Sequence, residues 1–213
     1  MSQAIIFDFD GTLVDSQKTI YQCFQSITNY LAPERIAYAK NILIGPPLSD
    51  TASAILGPNH QNQLDEFVKL FIEMHDEHAI KDTQPYPGAN KILQYLISMK
   101  ITLAIATNKR QAPTIKLVEH FGWSSFFELI ECSDSQSDLR DKFKMIEDIK
   151  NSNDRFENAY FVGDTVNDGK SSNQHNLKFI RALYGYGSNQ DWSSVDVNRD
   201  IKKASDLKWL IDV

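Results

Sequence analysis

Five short, almost continuously apolar runs, each separated from the next by other patterns, set the frame for this chain. They are Ala4–Phe9 (Ala-Ile-Ile-Phe-Asp-Phe), Ile101–Ala106, Leu129–Cys132, Ala159–Val162 and Phe179–Leu183. A strand that reads apolar at nearly every position is buried on both faces, as in a parallel sheet covered by helices on either side. The intervening segments carry helical spacing: Ile92, Leu93, Leu96 and Ile97, then Ile115, Val118 and Phe121 closed by Gly122, then Phe143, Ile146 and Ile149. Strand–helix alternation of this kind predicts a doubly wound α/β fold.

One stretch breaks the alternation. From Ser16 to Gln84 the pattern is helical with no convincing strand: Ile20, Phe24, Ile27 and Leu31 recur at turn spacing, as do Leu64, Phe67, Val68, Phe71 and Met74. Gly45-Pro46-Pro47 and Gly57-Pro58-Asn59 punctuate it. The expected organisation is an α/β core of residues 1–15 and 85–213, interrupted by a helical cap of residues 16–84.

The 213 residues are 42% hydrophobic and 11% aromatic, enough for a real core and too apolar for disorder. The net charge of −6 without basic runs argues against binding to nucleic acid. Cys23 and Cys132 form no disulfide framework or zinc spacing and are expected as buried free thiols. No apolar run has the length of a membrane span. Asp8 lies inside the first apolar run, leaving no room for a signal peptide, so a cytoplasmic protein without membrane attachment is expected.

The chemistry concentrates at strand ends. In Asp8-Phe9-Asp10-Gly11-Thr12, two carboxylates two residues apart on a strand point the same way. They stand at the C-terminal edge, where open parallel sheets bind ligands. At ~5 Å and an effective dielectric near 20 they repel by roughly 3 kcal/mol, which a fold tolerates when a cation, a proton or a reaction uses it. A capped turn also accounts for Asp10-Gly11 taken alone. Gly163-Asp164-Thr165-Val166-Asn167-Asp168 ends another run; a helix N-cap would account for Asp168 by itself. Together the two segments present four carboxylates, hard oxygen ligands that suit Mg²⁺. Thr107-Asn108 ends a third run and offers a hydroxyl and backbone N–H groups to a phosphoryl oxygen, or a helix cap. Lys142 opens a helix, where the macrodipole disfavours a cation, so it is expected either to be held there by something else or to be a solvated surface lysine. Lys144 is the alternative.

In order, Asp8-x-Asp10-Gly11-Thr12-Leu13-Val14-Asp15-Ser16, Thr107-Asn108-Lys109, Lys142 and Gly163-Asp164-x-x-x-Asp168 resemble the four motifs of the haloacid dehalogenase (HAD) superfamily. The match runs over essentially the whole chain, and with Tyr184-Gly185-Tyr186-Gly187 it looks most like the phosphoglycolate phosphatase-like branch. The resemblance implies a Rossmann-like core with an α-helical cap and a Mg²⁺-dependent phosphatase acting on a small phosphorylated metabolite, as a monomer or homodimer. It implies Asp8 as the nucleophile that becomes an aspartyl-phosphate, and Asp10 as the acid and base. Thr107 and Asn108 would bind the phosphoryl group and Lys142 would neutralise it. The metal would be held by Asp8, Asp164 and the Asp10 carbonyl, supported by Asp168. The second aspartate, Asp10, argues against dehalogenation, and the absence of a histidine in Asp15-Ser16-Gln17-Lys18-Thr19 against a sugar-phosphate mutase. A mutase and a non-catalytic phosphate-binding module stay as competing readings. Phe143 stands where many relatives have proline, and Asn176 takes the place of a helix-ending glycine.

Other features are read more plainly. His75 and His78, beside Asp76 and Glu77, are expected on a solvated helix face. Trp123, Trp192 and Trp209 are expected to pack. The Ile44–Leu48 turn either faces the site or merely connects two helices.

Overall fold

The computed structural model describes residues 4–136 and 140–210. The outer ends of the expected core, residues 1–3 and 211–213, and residues 137–139 lie outside this description. The elements run β1 (Ala4–Phe7), β2 (Val14–Asp15), α1 (Gln17–Leu31), α2 (Ile36–Ala39), α3 (Leu48–Leu56), α4 (Leu64–Asp82), β3 (Gln84–Pro85) and α5 (Ala89–Ser98). They continue β4 (Thr102–Thr107), α6 (Gln111–His120), β5 (Leu129–Cys132), α7 (Lys142–Ser152), β6 (Tyr160–Gly163), α8 (Val166–Gln174), β7 (Lys178–Ala182) and β8 (Arg199–Ile201).

Six strands form one sheet in the order β5-β4-β1-β6-β7-β8, with every pairing parallel. The alternation of side chains explains why the runs are apolar throughout. Ile5, Phe7, Leu103, Ile105, Val162 and Ile180 point into one core, beneath α5 and the C-terminal turns. Ala4, Ile6, Ala104, Ala106, Phe161 and Phe179 point into the opposite core, beneath α7. Each large side chain so buried contributes roughly 1.5–3 kcal/mol relative to exposure. β1 is the switch point, with β4 on one flank and β6 on the other, so the crevice at its C-terminal end is where a ligand fits this fold.

Helices α1–α4 build their own apolar cluster. Phe24 stacks on Phe71 at 4.9 Å and meets Phe67 at 6.3 Å, fixing α1 against α4. Arg35 donates to the Ile55 and Ala54 carbonyls at 2.7 and 3.0 Å, closing the C-terminal end of α3.

Three expectations change. The first strand ends at Phe7, not Phe9, because the chain folds back at once: the Leu13 and Val14 amides both donate to the Phe9 carbonyl, at 2.9 and 3.1 Å. Asp8 and Asp10 therefore do not share one strand face. β8 was not foreseen, having one buried side chain, Ile201, in three residues. Nor was the antiparallel pair β2–β3, which joins the two chain crossings at the root of the helical block. Asn176 ends α8's turn at φ +57°, the left-handed conformation expected of it.

Candidate active site

The site lies beyond the C-terminal ends of β1, β4 and β6. Asp8 is the first residue after β1, anchored by its amide donating to the Val162 carbonyl at 2.8 Å. Asp164 follows β6, and Asp168 sits in the first turn of α8. Each of these three buried carboxylates offers an oxygen within 4.8 Å of the others.

Lys142 is almost fully buried although it begins α7. Its ammonium donates to Asp8 Oδ1, to the Ala106 carbonyl at 2.8 Å, and lies 3.1 Å from Asp168 Oδ1. The carboxylates outweigh the macrodipole here. Lys144 points outward to Glu147 and Asp148, so the structure places Lys142, not Lys144, at Asp8. Phe143, in the position often taken by proline, packs on the His175 ring with centroids 4.1 Å apart.

Asp164 is held rigidly. Oδ1 accepts from Thr12 Oγ1 at 3.1 Å and Oδ2 from the Tyr186 amide at 2.6 Å. Close packing enforces glycine around it: Gly11 has φ +89°, and a Cβ there or at Gly185 would collide with the Asp164 carboxyl. Asp168 is engaged on both oxygens. Oδ2 accepts from the Thr165 amide and hydroxyl at 3.0 and 2.7 Å in a capping box, and Oδ1 faces Lys142. Asp168 thus holds Lys142 and at the same time stands with Asp8 and Asp164 in the group that could hold a metal ion.

Asp10 stands apart from this triad, which revises the expectation of four convergent carboxylates. Its Oδ1 accepts from Ser16 Oγ at 2.5 Å and pairs with Lys109 Nζ at 3.2 Å. The charge in contact with Asp10 is a cation, where a second carboxylate was expected. Asp8, Asp10, Thr107 and Asn108 together border one cavity under the helical block. Thr107 Oγ1 accepts the Lys109 amide at 3.2 Å, and Asn108 Nδ2 reaches across to the Gly45 carbonyl at 2.7 Å. The Ile44–Leu48 turn thus faces the site.

Sequence reasoning missed the parts played here by Lys109, His75, Ser16 and Tyr186. His75 is a correction: it is 4% exposed, not on a solvated face, and it lies 3.2 Å from Lys109 Nζ. The signal was present, since Phe67, Phe71, His75 and Ala79 are all buried at a spacing of four. Tyr186 ties the site to the helical block's root, its hydroxyl accepting the Ser16 amide at 2.8 Å.

Among the described residues, three buried carboxylates stand against one ammonium, an excess of two acidic groups. Burial, followed by repulsion from the neighbouring carboxylates, raises Asp164 well above the ordinary range. Burial raises Asp8 from 3.8 to about 7, against the opposing pull of Lys142. The all-oxygen donor set and the charge deficit both fit a hard divalent cation. The signs give a prediction. Without metal, folded protein holds these protons more tightly than unfolded chain, so their contribution to stability is lost as pH rises from about 4 to about 7. A divalent cation competes with the same protons. Mg²⁺ at a hundredfold excess over its Kd is expected to add about 2.7 kcal/mol at neutral pH, roughly 5–10 °C in Tm for a chain of this length. The gain should shrink toward pH 5. Thermal melts with Mg²⁺ or EDTA across this range check it, and a gain that is flat or larger at low pH would refute it.

The chain belongs to the haloacid dehalogenase-like hydrolases, whose family model matches residues 5–182. Among curated relatives, a phosphoglycolate phosphatase of Aquifex aeolicus is 27% identical over 187 residues, covering 86% of each chain. The pyrophosphatase PpaX of Halalkalibacterium halodurans is 26% identical over 184 residues, covering 85% of this chain and 83% of its own. A haloacid dehalogenase-like family hydrolase from Streptococcus pneumoniae shares the fold with a TM-score of 0.81 at 21% identity, covering 98% of both chains.

Proposed function

We propose that this protein is a Mg²⁺-dependent phosphomonoesterase acting on a small phosphorylated metabolite through an aspartyl-phosphate. The observation that carries the reading is Asp8: a carboxylate paired with a buried lysine, beside two further carboxylates, on the border of a cavity. The relatives are named for two different phosphorylated substrates, phosphoglycolate and pyrophosphate, so the family supports the phosphoryl chemistry more than any one substrate.

In the proposed reaction the Asp8 carboxylate attacks phosphorus, forming an acyl-phosphate bond as the ester P–O bond breaks. Asp10 gives its proton to the departing alcohol oxygen. Water then attacks phosphorus, Asp10 takes the water's proton, and the acyl-phosphate bond breaks to release phosphate and restore Asp8. Lys142 steadies Asp8 and balances charge on the phosphoryl oxygens, while Thr107 and Asn108 orient them. Asp8, Asp164 and the Asp10 carbonyl would hold Mg²⁺, and Asp168 keeps Lys142 in place. The bound cation would supply Lewis-acid stabilisation of the phosphoryl oxygens. Residues 16–84 act as a cap that excludes bulk water during attack.

The expected result is phosphate release from a panel of phosphomonoesters with Mg²⁺ and its loss with excess EDTA. A malachite-green assay reads both. Undiminished release in EDTA would refute the metal dependence, and no release from any phosphoester would refute the enzyme reading.

A further inference from the structure

The cavity over Asp8 has two unlike walls. The sheet side carries the polar groups described above. The helical side is mostly apolar, with Ile20 and Phe24 of α1, Ile44 and Leu48 around the turn, and Phe71 and Ile72 of α4, interrupted by Thr51, His75 and Asp76. The free volume is about 100 Å³.

The cavity meets three basic side chains, Lys109, Arg110 and His75, and each already has partners in the fold. Lys109 Nζ lies 3.2 Å from Asp10 Oδ1 and 3.2 Å from His75 Nε2. Arg110 donates to Asp76 Oδ2 at 3.0 Å and faces Asp134 Oδ2 at 3.8 Å. His75 is stacked on Phe71, with ring centroids 5.3 Å apart, and burial together with Lys109 and Arg110 keeps it neutral. Among the described residues, two buried oxygens bordering the cavity, Asn108 Oδ1 and Asp76 Oδ1, find no hydrogen-bond partner. Both are acceptors. A second anionic group on a substrate would meet mainly apolar carbon, the Thr51 hydroxyl, cations already held by Asp10, Asp76 and Asp134, and unpaired acceptors, and a buried carboxylate without a full set of partners is strongly disfavoured. A neutral apolar group would gain contact on one side and leave those ion pairs intact.

We infer that the alcohol half of the preferred phosphomonoester is short, uncharged and mainly apolar. The inference rests on the phosphatase reading above and departs from the substrate for which the Aquifex relative is named. It separates two esters of nearly identical shape. Isobutyl phosphate replaces the carboxylate oxygens of phosphoglycolate with methyl groups. With Mg²⁺, kcat/KM for isobutyl phosphate is expected to exceed that for phosphoglycolate by at least tenfold. Ile72→Lys, at a half-exposed position of the apolar wall, should move the ratio at least tenfold toward phosphoglycolate, mainly through KM.

Equal or greater kcat/KM for phosphoglycolate in the unaltered protein would overturn the inference while leaving the phosphatase reading intact. So would turnover of p-nitrophenyl phosphate with neither of the two esters. No turnover of all three would instead remove the phosphatase reading itself, and this inference with it.

Discussion

Asp8→Asn is expected to lower phosphate release by at least about 10⁴-fold, the scale on which a covalent nucleophile's loss is felt. The amide keeps the shape of the side chain but removes the attacking oxygen's charge. It also changes what Lys142 faces, since Asp8 Oδ1 is one of its three partners. Folding should survive, because the substitution relieves part of the uncompensated negative charge in the triad. The check pairs single-turnover phosphate release with intact-protein mass spectrometry after brief exposure to substrate. Unaltered protein should show a transient added phosphoryl group, and Asp8→Asn none. Activity persisting in the variant would sink the nucleophile assignment.

The second large effect is on stability. Lys142→Met removes the ammonium that Asp8, Asp168 and the Ala106 carbonyl share. Breaking a buried ion pair by deleting one partner costs about 3–5 kcal/mol, because the charges left behind have no compensation. For a chain of this length that is a fall of roughly 6–20 °C in Tm. Lys144→Met is the control: that side chain is half exposed, beside Glu147 and Asp148, and its loss should leave Tm little changed. Differential scanning fluorimetry in EDTA compares them. Equal melting temperatures would mean that Lys142 is not holding the carboxylates.

The sheet was legible because its strands are buried on both faces, so Ile5–Phe7 or Leu103–Ile105 have no polar option at any position. β8 was illegible for the opposite reason: Arg199 and Asp200 are exposed and only Ile201 is buried. The locations of Asp8 and Asp164 could be read because Asp8 stands near the end of one such run and Asp164 just beyond another. Their partners could not be read in the same way. Lys109 meets Asp10 across 99 positions of sequence, and Thr12 meets Asp164 across 152. No local pattern encodes a contact of that separation. His75 was obscured by its charged neighbours Asp76 and Glu77, which outweighed its phase with Phe67 and Phe71. The Asp8–Asp10 repulsion argument assumed a straight strand; the chain turns after Phe7, and although Asp10 still repels Asp8, its direct partner is Lys109.

The pair β2–β3 bears on how the chain reaches this state. β1 and β4 are sheet neighbours although the whole helical block separates them in sequence. Closing so long a loop directly would delay their pairing. Val14 beside Pro85 and Asp15 beside Gln84 bring the block's entry and exit together. Once the helices have packed around Phe24, Phe67 and Phe71, the excursion is already closed at its base. What remains between β1 and β4 is a short connection through β2, β3 and α5. A helical block formed early would shorten the connection that β1 and β4 must close, and Phe24→Ala is then expected to slow refolding of the sheet, read by stopped-flow fluorescence.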